Sequence, residues 1–289
     1  MTETHEQWDI TTGVGLTALA VASARAIATG SADGLVDDPF AAAFVRAANP
    51  PRPMPTGPED AGDDEMWAAM SAYMGLRSRF FDDLIAGSSA PQIVILAAGL
   101  DARAYRLDLT GRDVYEVDQP RVLEFKQQVL DSLNARPRCR RHPVAADLRD
   151  NWPAALESAG FDRSRPTVWL AEGLLPYLPA RAEEELFEIV HARSAPGSRI
   201  GVEQVPGGDV ESMDRMMREL KASERVGIEM DGLLNTVPRR DPATWLRAQG
   251  WSVKAEAADE VAAGHGQVFP AYLNHTMAKA ELTTADLPA

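Results

Sequence analysis

Gly99 and Asp118, 19 residues apart, have the residue types and spacing that bind a ribose. Gly99 closes the turn Ala97-Ala98-Gly99 behind an apolar run, Ile93 to Leu96, and Asp118 ends a second strand-like run, Val114 to Val117. A small-residue turn lets a ligand approach the backbone, and an acid at the tip of the next strand accepts from the ribose hydroxyls. The turn holds one glycine, where a dinucleotide fingerprint holds three to help cradle a pyrophosphate. A ribose-bearing ligand without phosphates, such as S-adenosylmethionine, needs no such cradle. Two more acids follow strand-like runs: Asp147 in VAADLRDNWP and Glu172 in VWLAEGLLPYLP. Any one of the three serves equally well as a helix N-cap, but three at successive strand tips point to a ligand. Asp118 is then placed to accept from the ribose, Asp147 from an adenine amino group with the Leu148 N–H donating to a ring nitrogen, and Glu172 to face an ammonium group. A ligand carboxylate needs a cation, for which Arg77 and Arg103 are the candidates.

The elements that must position these residues form an alternating series from residue 91 onward, the pattern of a mostly parallel sheet. Strands are expected at 92–97, 113–118, 141–146, 167–171, 198–204, 251–256 and 272–279, the last pairing antiparallel because no crossover helix precedes it. Helices fill 120–134, 151–158, 181–194 and 241–249. Upstream, residues 14–29 are alanine-rich and helix-prone, Asp38-Pro39 opens a short helix to about Ala48, and Met66 to Ala86 has helical apolar spacing. Residues 49–64, dense in Pro, Gly and acid, are expected to form a mobile loop with no regular element. A Met-rich helical piece, 209–236, interrupts the alternation. The expected organisation is therefore a helical extension over 1–90 and an α/β unit over 91–289, with a cap inserted at about 205–240.

Composition narrows the function. The chain has 289 residues, 45% of them apolar, and a formal net charge of −14. That balance disfavours nucleic acid and anionic membrane surfaces as partners. No apolar run approaches the ~18 residues of a spanning helix, and the polar, acidic N-terminus is unlike a signal peptide. A single cysteine, Cys139, excludes an intramolecular disulfide and makes a reduced cytoplasm the expected setting. Its arginine neighbours would lower its pKa if it were exposed, but a strand cysteine without a chemical role is the expectation. None of the five histidines has metal-ligand spacing, so no metal is expected.

Taken in order, WDITTGVGLTALAVASARAI, DDPF, AAMSAYMGLRSRFFDDL, GLDARAYRL, EVDQPRVLEFK, VAADLRDNWPAAL, AEGLLPYLP, SAPGSRIGVEQVP and TWLRAQGW resemble the leucine carboxyl methyltransferase-like family. The branch most similar is the actinomycete group of S-adenosylmethionine-dependent O-methyltransferases, and the likeness runs over about residues 8 to 278. The resemblance implies a class I methyltransferase fold: a Rossmann-like, doubly wound, mostly parallel seven-stranded sheet whose last strand is antiparallel. It implies S-adenosylmethionine as cofactor, with Asp118 on the ribose, Asp147 and Leu148 on the adenine side, and Arg77 on the methionine carboxylate. Gly99 matches the turn glycine and Glu172 the acid after the fourth strand. Arg25 corresponds to a basic residue of the N-terminal segment.

Methyl transfer from a sulfonium needs alignment and exclusion of water. A carboxylate acceptor needs no base, a phenol benefits from one, and an aliphatic alcohol needs one more. His142 and His191 are expected to be structural. Tyr177 and His265, the latter expected in a flexible loop that reaches a cleft, are the remaining catalytic candidates, and neither is an assured base, which favours a carboxylate or acidic phenol. Met213, Met216 and Met217 suit an adaptable apolar pocket. The acceptor is thus expected to be a small lipophilic molecule of secondary metabolism, such as a polyketide or fatty-acid-like compound. A non-catalytic cofactor-binding protein and a nicotinamide-dependent oxidoreductase are the alternatives. The sequence does not specify the oligomeric state.

Overall fold

In the computed structural model, residues 10–204, 218, 222–228, 233–235, 237–269 and 279–288 are described. Four helices open the chain: α1 (Val14–Gly30), α2 (Ala41–Ala48), α3 (Pro58–Ala61) and α4 (Glu65–Ala86). The alternating part follows with β1 (Gln92–Leu96), α5 (Arg103–Arg106), β2 (Asp113–Asp118), α6 (Pro120–Ser132), β3 (Arg140–Ala145), α7 (Trp152–Ser158) and β4 (Thr167–Ala171). A 3-10 turn, Leu175–Tyr177, leads into α8 (Ala180–Ala192) and β5 (Arg199–Gln204). Then come α9 (Ala222–Val226), α10 (Pro242–Ala248), β6 (Ser252–Ala257), α11 (Ala258–Gly264) and β7 (Glu281–Asp286).

The seven strands lie in the order β3-β2-β1-β4-β5-β7-β6. The first five are parallel, while β7 runs antiparallel to both of its neighbours. The chain winds outward from β1 in both directions, so the sheet order reverses between β1 and β4. In such sheets, a ligand crevice opens at this point, outside the carboxyl ends of the strands. Every residue of β1 and of β4 is buried, as expected of parallel strands covered on both faces. Alternation within β1 separates the two cores. Ile93 and Ile95 pack with Leu19, Leu76, Phe81 and Leu84 of α1 and α4. Val94 and Leu96 pack with Trp152, Leu156, Leu186 and Phe187 of α7 and α8. The opening helices are therefore one wall of the main core.

Local chemistry explains the helix starts. Asp64 caps α4, its carboxylate accepting from the N–H groups of Met66 and Trp67 at 2.9 and 3.2 Å, and Pro120 occupies the first turn of α6. On β5, a Cβ added at Gly201 would lie 2.5 Å from Leu84 Cδ2 and 2.8 Å from Phe81 Cε1. The missing side chain is what lets α4 lie down on the sheet. Gly201→Ala should therefore cost about 1–3 kcal/mol by overpacking, read as a lower midpoint in urea unfolding.

Three expectations are corrected. The stretch 49–64 contains a regular element, α3. Pro58 begins it, Glu59 and Asp60 stand in its first turn, and Asp60 accepts from the N–H and hydroxyl of Thr56. The closing strand is Glu281–Asp286, whose Leu282, Thr283 and Ala285 are buried. The expected strand 272–279 lies outside the described residues except for Lys279. Residues 258–264, read as connecting chain, form α11. His5, His275, Met213, Met216, Met217 and most of the cap also lie outside the described residues.

Candidate functional site

The turn after β1 is tight. Ala97 and Gly99 both adopt left-handed backbone, with φ of 51° and 47°. That conformation strains alanine and suits glycine. Val117 C=O accepts from the Ala98 N–H at 3.1 Å. The Asp118 carboxylate accepts from the Gly99 N–H at 2.6 Å and from the Gln119 N–H at 2.7 Å. The acid at the tip of β2 is thus fixed against the turn after β1. Burial raises its pKa, partly offset by these two main-chain donors.

Asp147 lies just past β3, where its carboxylate accepts from the N–H and Nε of Arg149 at 2.9 Å and from Nη2 at 2.6 Å. Gln119 Nε2 approaches it at 3.3 Å, which joins the tips of β2 and β3. Leu148 lies beside it on the same cavity wall.

A network of ion pairs fills the other end. Arg77 of α4 has its Nε 2.9 Å from Glu172 Oε1 and its Nη1 2.9 Å from Glu203 Oε2. Its Nη2 makes no hydrogen bond to a described residue. Arg103 is engaged at all three of its nitrogens. Its Nε donates to Asp82 at 2.7 Å, its Nη1 to Asp101 and to Glu172 at 2.7 Å, and its Nη2 to the Ser78 carbonyl at 3.3 Å. Of the two candidate cations, Arg77 alone has a terminal nitrogen with no partner among the described residues, and Arg103 braces the acids around it. Burial raises the Glu172 carboxyl, but Arg103 and Arg77 outweigh it and hold the pKa below the usual range. Burial raises the Asp101 carboxyl too, but Arg103, Lys126 and Arg106 outweigh it and leave its pKa at about 2. Arg25 of α1 donates to Asp38 at 2.9 Å and to the Leu100 carbonyl at 2.8 Å, fastening α1 beside the turn.

These residues surround one cavity of about 780 Å³. Its polar floor is the line of strand tips, carrying Gly99, Asp118, Asp147, Leu148 and Glu172. Its roof is apolar, with Ile10, Val14 and Val21 from the N-terminal side, Met70 and Met74 from α4, and Leu233 and Leu234 from the inserted segment. That segment is tied down by Asn235 N–H donating to the Pro176 carbonyl at 2.8 Å, and by Arg239, which bonds Glu183 and the Leu175 carbonyl at 2.6 Å each.

Of the two catalytic candidates, Tyr177 lines the cavity beside Thr17 of α1, and burial raises the pKa of its phenol. His265 is not among the lining residues. It ends α11, with Nε2 3.8 Å from Asp83 on the outer face of α4; the chain there is a helix end and not a loop free to reach the cleft. His142 stacks on Tyr115 and pairs with Asp113, and His191 hydrogen-bonds Trp251, both structural as expected. Burial drives the Cys139 thiol up to about 11, so its arginine neighbours do not activate it.

Sequence reasoning missed Glu203, Asp101 and Tyr73. The signal for Glu203 was present: RIGVEQ is a largely buried strand with an acid next to its end, close to the pattern that marked Asp118 and Glu172. Asp101 sits inside a loop and is defined only by the arginines it meets.

The sequence profile of the leucine carboxyl methyltransferase family matches residues 18–191. A Saccharopolyspora erythraea protein, provisionally named an S-adenosyl-L-methionine-dependent methyltransferase, is 45% identical over 292 residues, covering 97% of this chain and 98% of its own. A similarly named Rhodococcus jostii protein is 46% identical, covering 92% of each chain. Among solved structures, a Thermobifida fusca protein provisionally described as a methyltransferase superposes with a TM-score of 0.53 at 16% identity, covering 94% of each chain. A DUF574-family protein of Streptomyces avermitilis gives 0.54 at 16%, covering 85% of this chain and 96% of the other. At such identity, the two structures share the fold alone. Among the described residues, no helix is long and apolar enough to cross a membrane.

Proposed function

The chain belongs to the leucine carboxyl methyltransferase family, and from that premise we propose that it methylates an oxygen of a small lipophilic molecule, a carboxylate in preference to a hydroxyl. It is an S-adenosylmethionine-dependent methyltransferase of the class I fold. When bound, the cofactor supplies a methyl group on a sulfonium already activated for in-line displacement.

The observation that carries the reading is the joining, in one cavity, of a carboxylate clamped beside a left-handed turn and an arginine with an open guanidinium edge. We assign Asp118 to the ribose hydroxyls, the Gly99 turn to close approach of the nucleoside, and Asp147 with the Leu148 N–H to the adenine. Arg77 takes the methionine carboxylate through Nη2, and Glu172 faces the ammonium group. In this reading, residues 1–90 are a helical extension that roofs the α/β unit of 91–289, and the insertion at about 205–240 is a substrate cap.

Two features favour a carboxylate acceptor. The acids lining the cavity are already held: Asp38 by Arg25, Asp101 by Arg103, Asp118 by two main-chain N–H groups, Asp147 by Arg149, and Glu172 and Glu203 by Arg77. Tyr177 holds its proton, its pKa raised by burial. A carboxylate asks for no base, only for alignment in a site that excludes water. The apolar roof supports a lipophilic acceptor, such as a polyketide acid or fatty-acid-like compound of secondary metabolism, handled in the cytoplasm without nucleic acid or membrane.

Calorimetric titration with S-adenosylmethionine, S-adenosylhomocysteine and NADH comes first, followed by S-adenosylhomocysteine release with panels of lipophilic carboxylic acids, phenols and amines. The expected result is binding of the first two ligands and turnover with acids. Turnover with amines alone would overturn the oxygen assignment.

A further inference from the structure

Glu203 is the penultimate residue of β5, the strand beyond the three whose terminal acids the ligand reading uses, and it lines the same cavity. Its Oε1 accepts from the Tyr73 hydroxyl at 2.6 Å and from Arg77 Nη1 at 3.2 Å. Its Oε2 accepts from Arg77 Nη1 at 2.9 Å and from the Gly173 N–H at 2.7 Å. The carboxylate thus ties α4, the turn after β4 and the tip of β5 to one another. Gly173 has a left-handed φ of 62°, and a Cβ there would stand 3.3 Å from Arg77 Nη1. A glycine at this place is what lets the three groups meet. Glu172 holds Arg77 from the Nε side. Two carboxylates therefore fix one guanidinium and leave its Nη2 as the remaining edge.

Charge in this cluster is unequal. Asp82, Asp101, Glu172 and Glu203 face the guanidinium groups of Arg77, Arg103 and Arg106, four acids against three bases. By ion pairs alone the surplus is one negative charge, with Lys126 acting on Asp101 from outside the group; Glu203 itself lines the cavity that the cofactor's cationic end would enter. In a buried site such a charge acts with little screening.

We propose that Glu203 is a positioning residue with two tasks: it aims Arg77 at the methionine carboxylate, and it supplies the negative charge by which the site prefers the sulfonium substrate to the neutral thioether product. The inference rests on the assignment of Arg77 above. It gives the site a means of releasing S-adenosylhomocysteine once the methyl group has left, since the departing sulfur no longer carries charge.

The test is calorimetric titration of the whole protein and two variants with S-adenosylmethionine, S-adenosylhomocysteine and 5′-methylthioadenosine, which lacks the amino-acid end. Glu203→Gln keeps the volume and removes the charge. It should weaken S-adenosylmethionine at least about tenfold, as expected for charge-assisted hydrogen bonds. It should weaken S-adenosylhomocysteine less, so that the ratio of the two affinities falls at least about threefold. Affinity for 5′-methylthioadenosine should fall less than that for S-adenosylmethionine, because it lacks the carboxylate that Arg77 would hold. Glu203→Asp keeps the charge and withdraws it from Arg77; it should weaken both larger ligands while holding their ratio at the wild-type value. Equal loss for all three ligands would make Glu203 merely structural and overturn the proposal. An unchanged ratio in Glu203→Gln would overturn its electrostatic half, and unchanged affinity in Glu203→Asp its positioning half. A wild-type protein that binds 5′-methylthioadenosine but neither larger ligand would instead sink the assignment of Arg77, and this inference with it.

Discussion

Asp118→Ala should weaken S-adenosylmethionine binding at least about tenfold, and 5′-methylthioadenosine by a similar factor, since both carry the ribose. The carboxylate has two duties. It is assigned to the ribose hydroxyls, and it holds the Gly99 and Gln119 N–H groups at 2.6 and 2.7 Å. Losing a charged acceptor from a ribose costs on the order of 1.5–3 kcal/mol, and the turn loosens as well. Asp118→Asn separates the two duties, because an amide oxygen can still accept from one main-chain N–H. Unchanged affinity in the alanine variant would remove Asp118 from the site. Acidity offers a second handle. Burial raises the Asp118 pKa above that of an exposed aspartate, so ionising it opposes folding. Its contribution to stability is therefore present at low pH and is lost as pH rises through the folded value. Ribose binding needs the ionised form and moves the other way, so affinity should begin to fall on acidification at a pH above the range of an exposed aspartate.

Arg103→Ala should lower the unfolding free energy by about 3–5 kcal/mol, the usual cost of breaking a buried ion pair by removing one partner. Arg103 is 3% exposed and engages Asp82, Asp101 and Glu172 together; its deletion takes from Asp101 its ion-pair partner, while Asp82 keeps Arg106 and Glu172 keeps Arg77. Its guanidinium also lies 5.7 Å from the Phe81 ring centroid. Lysine should not restore the loss, because a single ammonium cannot reproduce a planar group engaged at all three nitrogens. Chemical denaturation reads the effect, and a loss below about 1 kcal/mol would show that the network carries little net stability.

The comparison of Arg77 with Arg103 shows where sequence reading stops. Both occur in motifs that suggested a ligand cation; residue chemistry alone does not separate them, and only the family resemblance singled out Arg77. The difference lies in which acids surround each guanidinium, and those acids come from elements far apart in the chain. The strand tips were readable because a buried parallel strand writes itself as an apolar run and a cavity-lining residue comes next. That rule located Asp118 and Glu172 and, carried one strand further, reaches Glu203. It failed at the chain's last strand. ELTTAD has too few apolar residues to stand out, although Leu282 and Ala285 are fully buried, because its neighbours on both sides supply the rest of the core. His265 was misplaced for a similar reason, the short helix ADEVAAG having too little apolar periodicity to announce itself.

The antiparallel strand also bears on how the chain is made. Among the strands, β7 is the last in sequence, yet it sits between β5 and β6. While the ribosome is still extending the chain, β5 presents an open row of peptide groups, and β6 has no strand to join because, among the described residues, its only hydrogen-bonded neighbour is β7. Unpaired edges of this kind recruit other chains. Synthesis therefore leaves a vulnerable interval that ends only when residues 281–286 slot between the two. A message or protease cut that removes that short piece would take away the keystone of the sheet while sparing every residue assigned to the cofactor.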